Sequence, residues 1–345
     1  MKPSQYLRSS MMWHFGRQLL AVFVLVLAFL LLSLILTSDR SPGLPSISIT
    51  KEQLRLLQAF AMGEAQENYT RHEQDDPQLL TAKRSEELLA HVRDACKTLD
   101  INLPVDSFMM AHMHFDDERK AIYCFVPKVA CTSWKRVWMK MTGIVPPDKN
   151  ISTISRYTVH TRVPLLSTNK ERDVKFNTYR KFMFVRHPFD RVLSAFKDKI
   201  ESEDKASAYN FHKQIGEKIE MKYRGTKAGH GKNVTFSEFI RFISEPGPGS
   251  FEQRNEHWLS VHHLCNPCTV QYDFIGKYEN LKEDANYVLD WLGARDVIDA
   301  FPVSDRPFNA RRYDPKYFDQ LSYKDKIMFF TKYLADFVAF DYDFV

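Results

Sequence analysis

No glycine falls between residues 121 and 136. That stretch carries a lysine between an apolar run and a Thr-Ser pair, where a GxxxxGK[ST] loop would need glycines to wrap a phosphate. The absence argues against a kinase or ATPase of that type. Excess charge of one sign is also scarce. The 48 Lys+Arg face 43 Asp+Glu, so bulk charge gives no reason to expect nucleic acid as a partner. No carboxylate pair is arranged to hold magnesium, and Asp116-Asp117-Glu118 reads as a solvated loop. There is no internal repeat. Only one CxxC occurs, Cys265-Asn-Pro-Cys268, and zinc would need two further ligands. His257, His262 and His263 are near in sequence, but a structural disulfide or buried thiols is the favoured reading, and no metal is expected. The cysteines Cys96, Cys124, Cys131, Cys265 and Cys268 are odd in number, so at least one thiol stays unpaired within the chain.

A long apolar run is present near the N-terminus. Residues 19–36, LLAVFVLVLAFLLLSLIL, contain one polar residue, Ser33. At ~1.5 Å per residue the run spans about 27 Å, enough for a bilayer core. Lys2, Arg8 and Arg17 precede it without an acid, and Asp39 and Arg40 cancel after it. The positive-inside rule then makes residues 1–18 a cytosolic tail, 19–37 a transmembrane signal anchor and the remainder luminal. A cleaved signal peptide is the rival, but Leu-Thr-Ser-Asp-Arg offers no small-x-small cleavage site. The run is short for a thick plasma membrane, which favours a single-pass type II protein of the Golgi membrane. Asn68, Asn150 and Asn233 begin glycosylation sequons, which a luminal location makes usable. Residues 38–95 read as a polar stem, with apolar residues at helical spacing over 51–61 and 85–99. The main luminal domain is expected over 96–345, within the size of one domain.

Within that domain, two segments repeat one pattern. In each, an apolar run breaks at a basic residue and gives way to helical spacing. Residues 121–126 predict a strand and 132–141 a helix with Trp134, Val137, Trp138 and Met141 on one side. Residues 181–185 predict a second strand and 189–199 a second helix. Short apolar strands alternating with helices predict an α/β fold whose central parallel sheet is covered on both faces. Further helices are expected over 236–243, 287–292 and 327–340. Lys128 then sits between strand and helix, with Thr132 and Ser133 at the helix start. A point charge beside free backbone N–H groups suits an anionic group. Arg186 ends the second strand, and Ser194 lies eight residues on; a guanidinium fork with a hydroxyl suits a phosphate. The alternatives are a capped helix with a surface lysine, and an Arg186–Asp190 ion pair beside a packed serine.

Pro127-Lys128-x-x-x-Thr132-x-Trp134 resembles the 5′-phosphosulfate loop of sulfotransferases, and Arg186 with Ser194 resembles their 3′-phosphate site. The wording VPKVACTSWKR and FVRHPFDRVLSAFKDK is similar to Golgi carbohydrate sulfotransferases acting on chondroitin, dermatan and related glycans. The likeness continues through Asn255-Glu-His-Trp258, Leu264-Cys-x-Pro-Cys268, Tyr272-Asp273 and Gly276-Lys-Tyr-Glu279, and covers about residues 120–345. The resemblance implies a P-loop-NTPase-like sulfotransferase fold. It also implies 3′-phosphoadenosine 5′-phosphosulfate as donor and in-line sulfuryl transfer to a sugar hydroxyl. Pro127, Lys128, Val129, Ala130, Cys131, Thr132, Ser133, Trp134, Arg186 and Ser194 would contact the donor. Val129-Ala130-Cys131 replaces the small and glycine residues of cytosolic sulfotransferases, a change the glycan-modifying branch shares.

Lys128 would stabilise charge on the departing phosphate. A base for the acceptor hydroxyl is sought among histidines. His160 corresponds in place to the catalytic histidine of heparan 2-O-sulfotransferases, and His257 is the second candidate. Trp134 suits adenine stacking or the core. The expected acceptor is a glycan, foremost O-4 of GalNAc in chondroitin or dermatan, with Arg254, Lys277, Arg311 and Arg312 as candidate contacts. The alternatives are terminal GalNAc or glucuronic acid on glycoprotein or glycolipid glycans, and a catalytically inactive luminal glycan-binding protein.

Overall fold

The two apolar runs become neighbouring strands. A computed structural model describes residues 76–202, 206–225, 229–245, 250, 252–302 and 314–344, all within one unit, Glu73–Val345. The expected tail, anchor, most of the stem and Asn68 lie outside the described residues. Among the described residues no helix is long and apolar enough to cross a membrane.

Helix α1 spans Pro77–Thr98, with the Asp76 side chain accepting the Gln78 N–H at its start. Strands β1 (Met113–Asp116) and β2 (Ala121–Cys124) follow, then helix α2 (Cys131–Met141) and helix α3 (Arg156–Arg162). Strand β3 (Arg180–Val185) leads into helix α4 (Pro188–Lys199). Helix α5 (Phe236–Ser244), the short helix α6 (Val261–Cys265) and strand β4 (Phe274–Lys277) come next, and helices α7 (Leu281–Trp291) and α8 (Tyr323–Ala339) complete the main elements.

The sheet order is β1-β2-β3-β4. Strands β2, β3 and β4 are parallel, whereas β1 runs antiparallel to β2. The expected wholly parallel sheet is therefore a mixed one. The reason lies in residues 117–120, too few for a parallel crossover, so the chain must fold back as a hairpin. Asp116 is buried, and its Oδ1 accepts the N–H groups of Glu118 at 2.9 Å and Arg119 at 3.1 Å. The acidic run taken for a solvated loop thus begins with the residue that organises a turn.

Helix α2 buries Trp134, Val137, Trp138 and Met141, its predicted apolar side, against β2 and β3. Helix α4 starts with proline, carries Asp190 in its first turn and Lys197 and Lys199 in its last, which matches its dipole. Strand β4 admits Gly276 opposite Phe184, because a Cβ there would come within 2.4 Å of that ring. Helix α1 covers the open edge of β4, where Ser85 Oγ accepts the Ile275 N–H at 3.1 Å. The folded body thus takes in the last part of the expected stem, because α1 runs across residue 96.

Two disulfides are present, Cys96–Cys268 and Cys124–Cys265, with Cys131 free. The CxxC cysteines bond to different elements and not to each other. Cys124 ends β2 immediately before the loop carrying Lys128, so this bridge ties that loop to α6. Closing a 141-residue separation constrains the unfolded chain strongly. Replacing Cys124 and Cys265 together by Ala is expected to cost about 2–5 kcal/mol, read as a lower urea midpoint. An unchanged midpoint would contradict it.

Candidate active site

The loop after β2 turns without glycine by placing Lys128 (φ 73°) and Ala130 (φ 53°) in the left-handed region. Such backbone is costly for residues with a Cβ and persists only where neighbours hold it. Here they do. Phe125 donates to the His112 carbonyl at 2.8 Å, Arg191 Nε donates to the Pro127 carbonyl at 3.0 Å, and Arg186 Nη1 donates to the Lys128 carbonyl at 3.2 Å. Helix α2 begins with no side-chain cap. Among the described residues no acceptor meets the N–H groups of Cys131, Thr132 and Ser133. That end of α2 is a positive, unsatisfied terminus.

A cavity of about 530 Å³ opens onto it, lined by Pro127, Lys128, Ala130, Cys131, Thr132 and Ser133. Its walls also carry Arg186, Ser194, His160 and His257. Most of the residues named from sequence therefore meet in one place. Val129 and Trp134 do not line it. Both are wholly buried, and Trp134 packs with Tyr123, Phe184 and Phe301 at centroid distances of 5.5, 5.2 and 4.7 Å. Of its two sequence-level roles, Trp134 takes the core one in this structure.

The Arg186 guanidinium lies 4.5 Å from the centre of the Tyr278 ring. Among the described residues no carboxylate is within ion-pair distance of it, so the alternative pair with Asp190 is not formed. Burial instead pushes the Asp190 carboxyl up to about 7, against the pull of Arg186. Lys128 Nζ is 3.1 Å from Asp198 Oδ2. Arg156 and Lys199 approach the same carboxylate at 3.9 and 3.7 Å. Burial lowers the Lys128 pKa, and Asp198 works the other way.

Sequence reasoning missed Arg156, Asp198, Lys199, Glu256 and Tyr278, all in the cavity wall. A signal existed for two of them. Asp198 is four residues after Ser194, and Arg156 four before His160, so each shares a helix face with a residue already singled out. Arg254 and Lys277 do not line the cavity, and Arg311 and Arg312 lie outside the described residues. Asn150 and Asn233 are exposed, as sequon residues must be to be reached. Among the described residues no group of three His, Cys, Asp or Glu could hold a metal ion.

Three histidines, His160, His257 and His263, are held neutral. Burial first, then the Lys135 ammonium, pushes His160 down to about 4. Burial, then Lys199, pushes His257 down to about 3. Burial, then His262, pushes His263 down to about 4. Between pH 6.5 and 4 the unfolded chain binds more protons at these rings than the native one, so their contribution to stability is lost as pH falls. Asp190 has the opposite sign, since its contribution is lost as pH rises through about 7. Urea stability is expected to fall on acidification from pH 6.5 to 4, with a shallower slope in His257→Gln. An identical slope in that variant would contradict the assignment.

Residues 111–343 match the sequence profile of the sulfotransferase family. The chain is 32% identical over 250 residues to carbohydrate sulfotransferase 11 of Mus musculus, covering 68% of this chain and 67% of that one. It is 32% identical over 240 residues to carbohydrate sulfotransferase 14 of the same species, covering 68% and 61%. It is 30% identical over 335 residues to carbohydrate sulfotransferase 12 of Mus musculus, covering 88% and 76%. No solved structure matches it. The family implies 3′-phosphoadenosine 5′-phosphosulfate as sulfate donor. The start of α2, Lys128, and an Arg186 that meets no carboxylate among the described residues suit such an anion. The chain belongs to the sulfotransferase family, among its carbohydrate sulfotransferases.

Proposed function

We propose that this protein transfers the sulfuryl group of 3′-phosphoadenosine 5′-phosphosulfate to O-4 of GalNAc in chondroitin or dermatan. The observation that carries the donor side is the convergence of Lys128, the uncapped start of α2, Arg186 and Ser194 on one cavity. Lys128 and the α2 N–H groups face the 5′-phosphosulfate and meet the charge that grows on the bridging oxygen as the S–O bond breaks. Arg186 and Ser194 hold the 3′-phosphate. Tyr278 keeps the guanidinium plane in place from beneath. The acceptor hydroxyl gives its proton to a cavity histidine.

The acceptor reading rests on the likeness of residues 182–196 and 255–279 to chondroitin- and dermatan-modifying enzymes. The cations Arg156 and Lys199 in the cavity wall suit a polymer that carries carboxylates. In the same reading, residues 1–18 are cytosolic, 19–37 anchor the chain in the Golgi membrane, and the remainder is luminal. Asn68, Asn150 and Asn233 are then available to glycosylation.

Lys128→Ala is expected to lower turnover at least 100-fold, since a preorganised charge stabiliser is typically worth ~3–4 kcal/mol. Arg186→Ala is expected mainly to weaken binding of the 3′,5′-bisphosphate product. Labelled sulfate transfer and calorimetry measure the two effects. Wild-type behaviour of both folded variants would remove the donor-site assignment.

A charged acceptor held by cations must release with salt, because the Debye length falls from ~10 Å at 0.1 M to ~3 Å at 1 M. The KM for desulfated chondroitin is expected to rise with ionic strength, more steeply than that for a neutral GalNAc-terminated oligosaccharide. Labelling of the neutral acceptor alone, at every salt concentration, would transfer the assignment to glycoprotein or glycolipid glycans.

A further inference from the structure

The two cavity histidines differ in what holds their Nδ1 atoms. The Asn255 Oδ1 atom lies 3.1 Å from the backbone N of His257 and 2.8 Å from His257 Nδ1. A backbone N–H can only donate, so it fixes the oxygen of the Asn255 amide toward His257. The ring must then donate to that oxygen through Nδ1–H. In neutral His257 the lone pair is consequently on Nε2. Among the described residues no hydrogen bond occupies that nitrogen, and His257 lines the cavity.

His160 is held the other way. Lys135 Nζ lies 3.3 Å from His160 Nδ1 and 3.4 Å from the centre of the Phe125 ring. Lys135 is buried. An ammonium has three donors and no acceptor, so His160 Nδ1 must receive its hydrogen bond. The proton of neutral His160 is therefore on Nε2, and the ring offers the cavity a donor.

From this geometry we infer that His257 is the base, positioned by Asn255, while His160, positioned by Lys135, is a hydrogen-bond donor to the transferring group. The acceptor oxygen bonds to sulfur as the bond from sulfur to the bridging phosphate oxygen breaks. That electron pair leaves on the phosphate, and the hydroxyl proton passes to His257 Nε2. Asn255 Oδ1 stabilises the imidazolium by accepting from Nδ1–H throughout. His160 Nε2–H faces the sulfuryl oxygens. The inference rests on the proposed sulfuryl transfer to a sugar hydroxyl, but it does not depend on which sugar.

The test begins without an acceptor. In the full chain, labelled with ¹⁵N-histidine and saturated with adenosine 3′,5′-bisphosphate, long-range ¹H–¹⁵N correlation reports which nitrogen is protonated. Single His→Gln variants assign the signals. His257 is expected as Nδ1–H and His160 as Nε2–H. The same tautomer in both, or the reverse pair, would overturn the inference. Asn255→Ala should disturb the His257 tautomer alone, and Asn255→Asp, whose carboxylate accepts the same two bonds, should restore it.

Turnover is then compared on whichever glycan of a panel the wild type labels. A glutamine amide can replace an Nε2–H donor but not a base. His160→Gln is expected to keep at least a tenth of wild-type kcat and His257→Gln less than a hundredth, with bisphosphate affinity within about twofold in both. A reversed order would overturn the assignment. Failure of the wild type to label chondroitin would instead count against the acceptor reading and leave the tautomers to the spectra.

Discussion

The buried guanidinium of Arg191 holds the two halves of the site together. Its Nε donates to the Pro127 carbonyl at 3.0 Å, Nη1 to the Leu259 carbonyl at 2.6 Å and Nη2 to the Glu256 carbonyl at 2.9 Å. Arg191 is 1% exposed, so each of these bonds replaces hydration that is no longer available. An unpaired buried polar group costs about 1–3 kcal/mol, and three carbonyls share this one partner. The same side chain therefore sets where the Lys128 loop lies, how α4 presents Ser194, and how the Asn255–Trp258 stretch presents His257. A lysine there would lack the fork that reaches three carbonyls at once.

Around that anchor the cavity gathers cations and keeps its histidines uncharged. Lys128, Arg156 and Lys199 share Asp198 as counter-ion, while Arg186 has an aromatic face and a carbonyl for company. An anionic donor would therefore enter a field already of the right sign, with backbone N–H groups fixed in advance by the left-handed residues of the loop. Burial first, and the same field after it, push His160 down to about 4 and His257 down to about 3. Negative charge brought to Lys128 would raise both, so either ring would accept a proton more readily beside a bound anion.

Much of this was legible in the sequence because local signals agreed. The apolar runs before Lys128 and Arg186 became β2 and β3, and the helices after them begin within one residue of the expected positions. Strands β1 and β4 were not foreseen, since four residues carry little periodicity and their pairing comes from partners far along the chain. The family-like stretches also mix roles that spacing cannot separate. Trp258 packs in the core, Asp273 accepts the Lys181 N–H at 2.7 Å, and Glu279 accepts the His187 N–H at 2.9 Å, whereas His257 lines the cavity and Asn255 Oδ1 meets its backbone N–H and its Nδ1. Arg191, five residues beyond Arg186, carries no signal of its role in the sequence, because its three acceptors come from other segments. The sequence preference for His160 over His257 rested on position along the chain alone, since Lys135 and Asn255 meet the two rings only in the folded chain.

The central claim is that one preformed cavity recognises two separated phosphates on one nucleoside. Calorimetry on the full chain with adenosine 3′,5′-bisphosphate, adenosine 5′-monophosphate and adenosine 3′-monophosphate tests it directly. If the Lys128 loop and the Arg186–Ser194 pair act together, the bisphosphate binds at least 100-fold more tightly than either monophosphate, a difference of about 2.7 kcal/mol. Equal affinity for all three nucleotides, or no binding of the bisphosphate, would contradict the account.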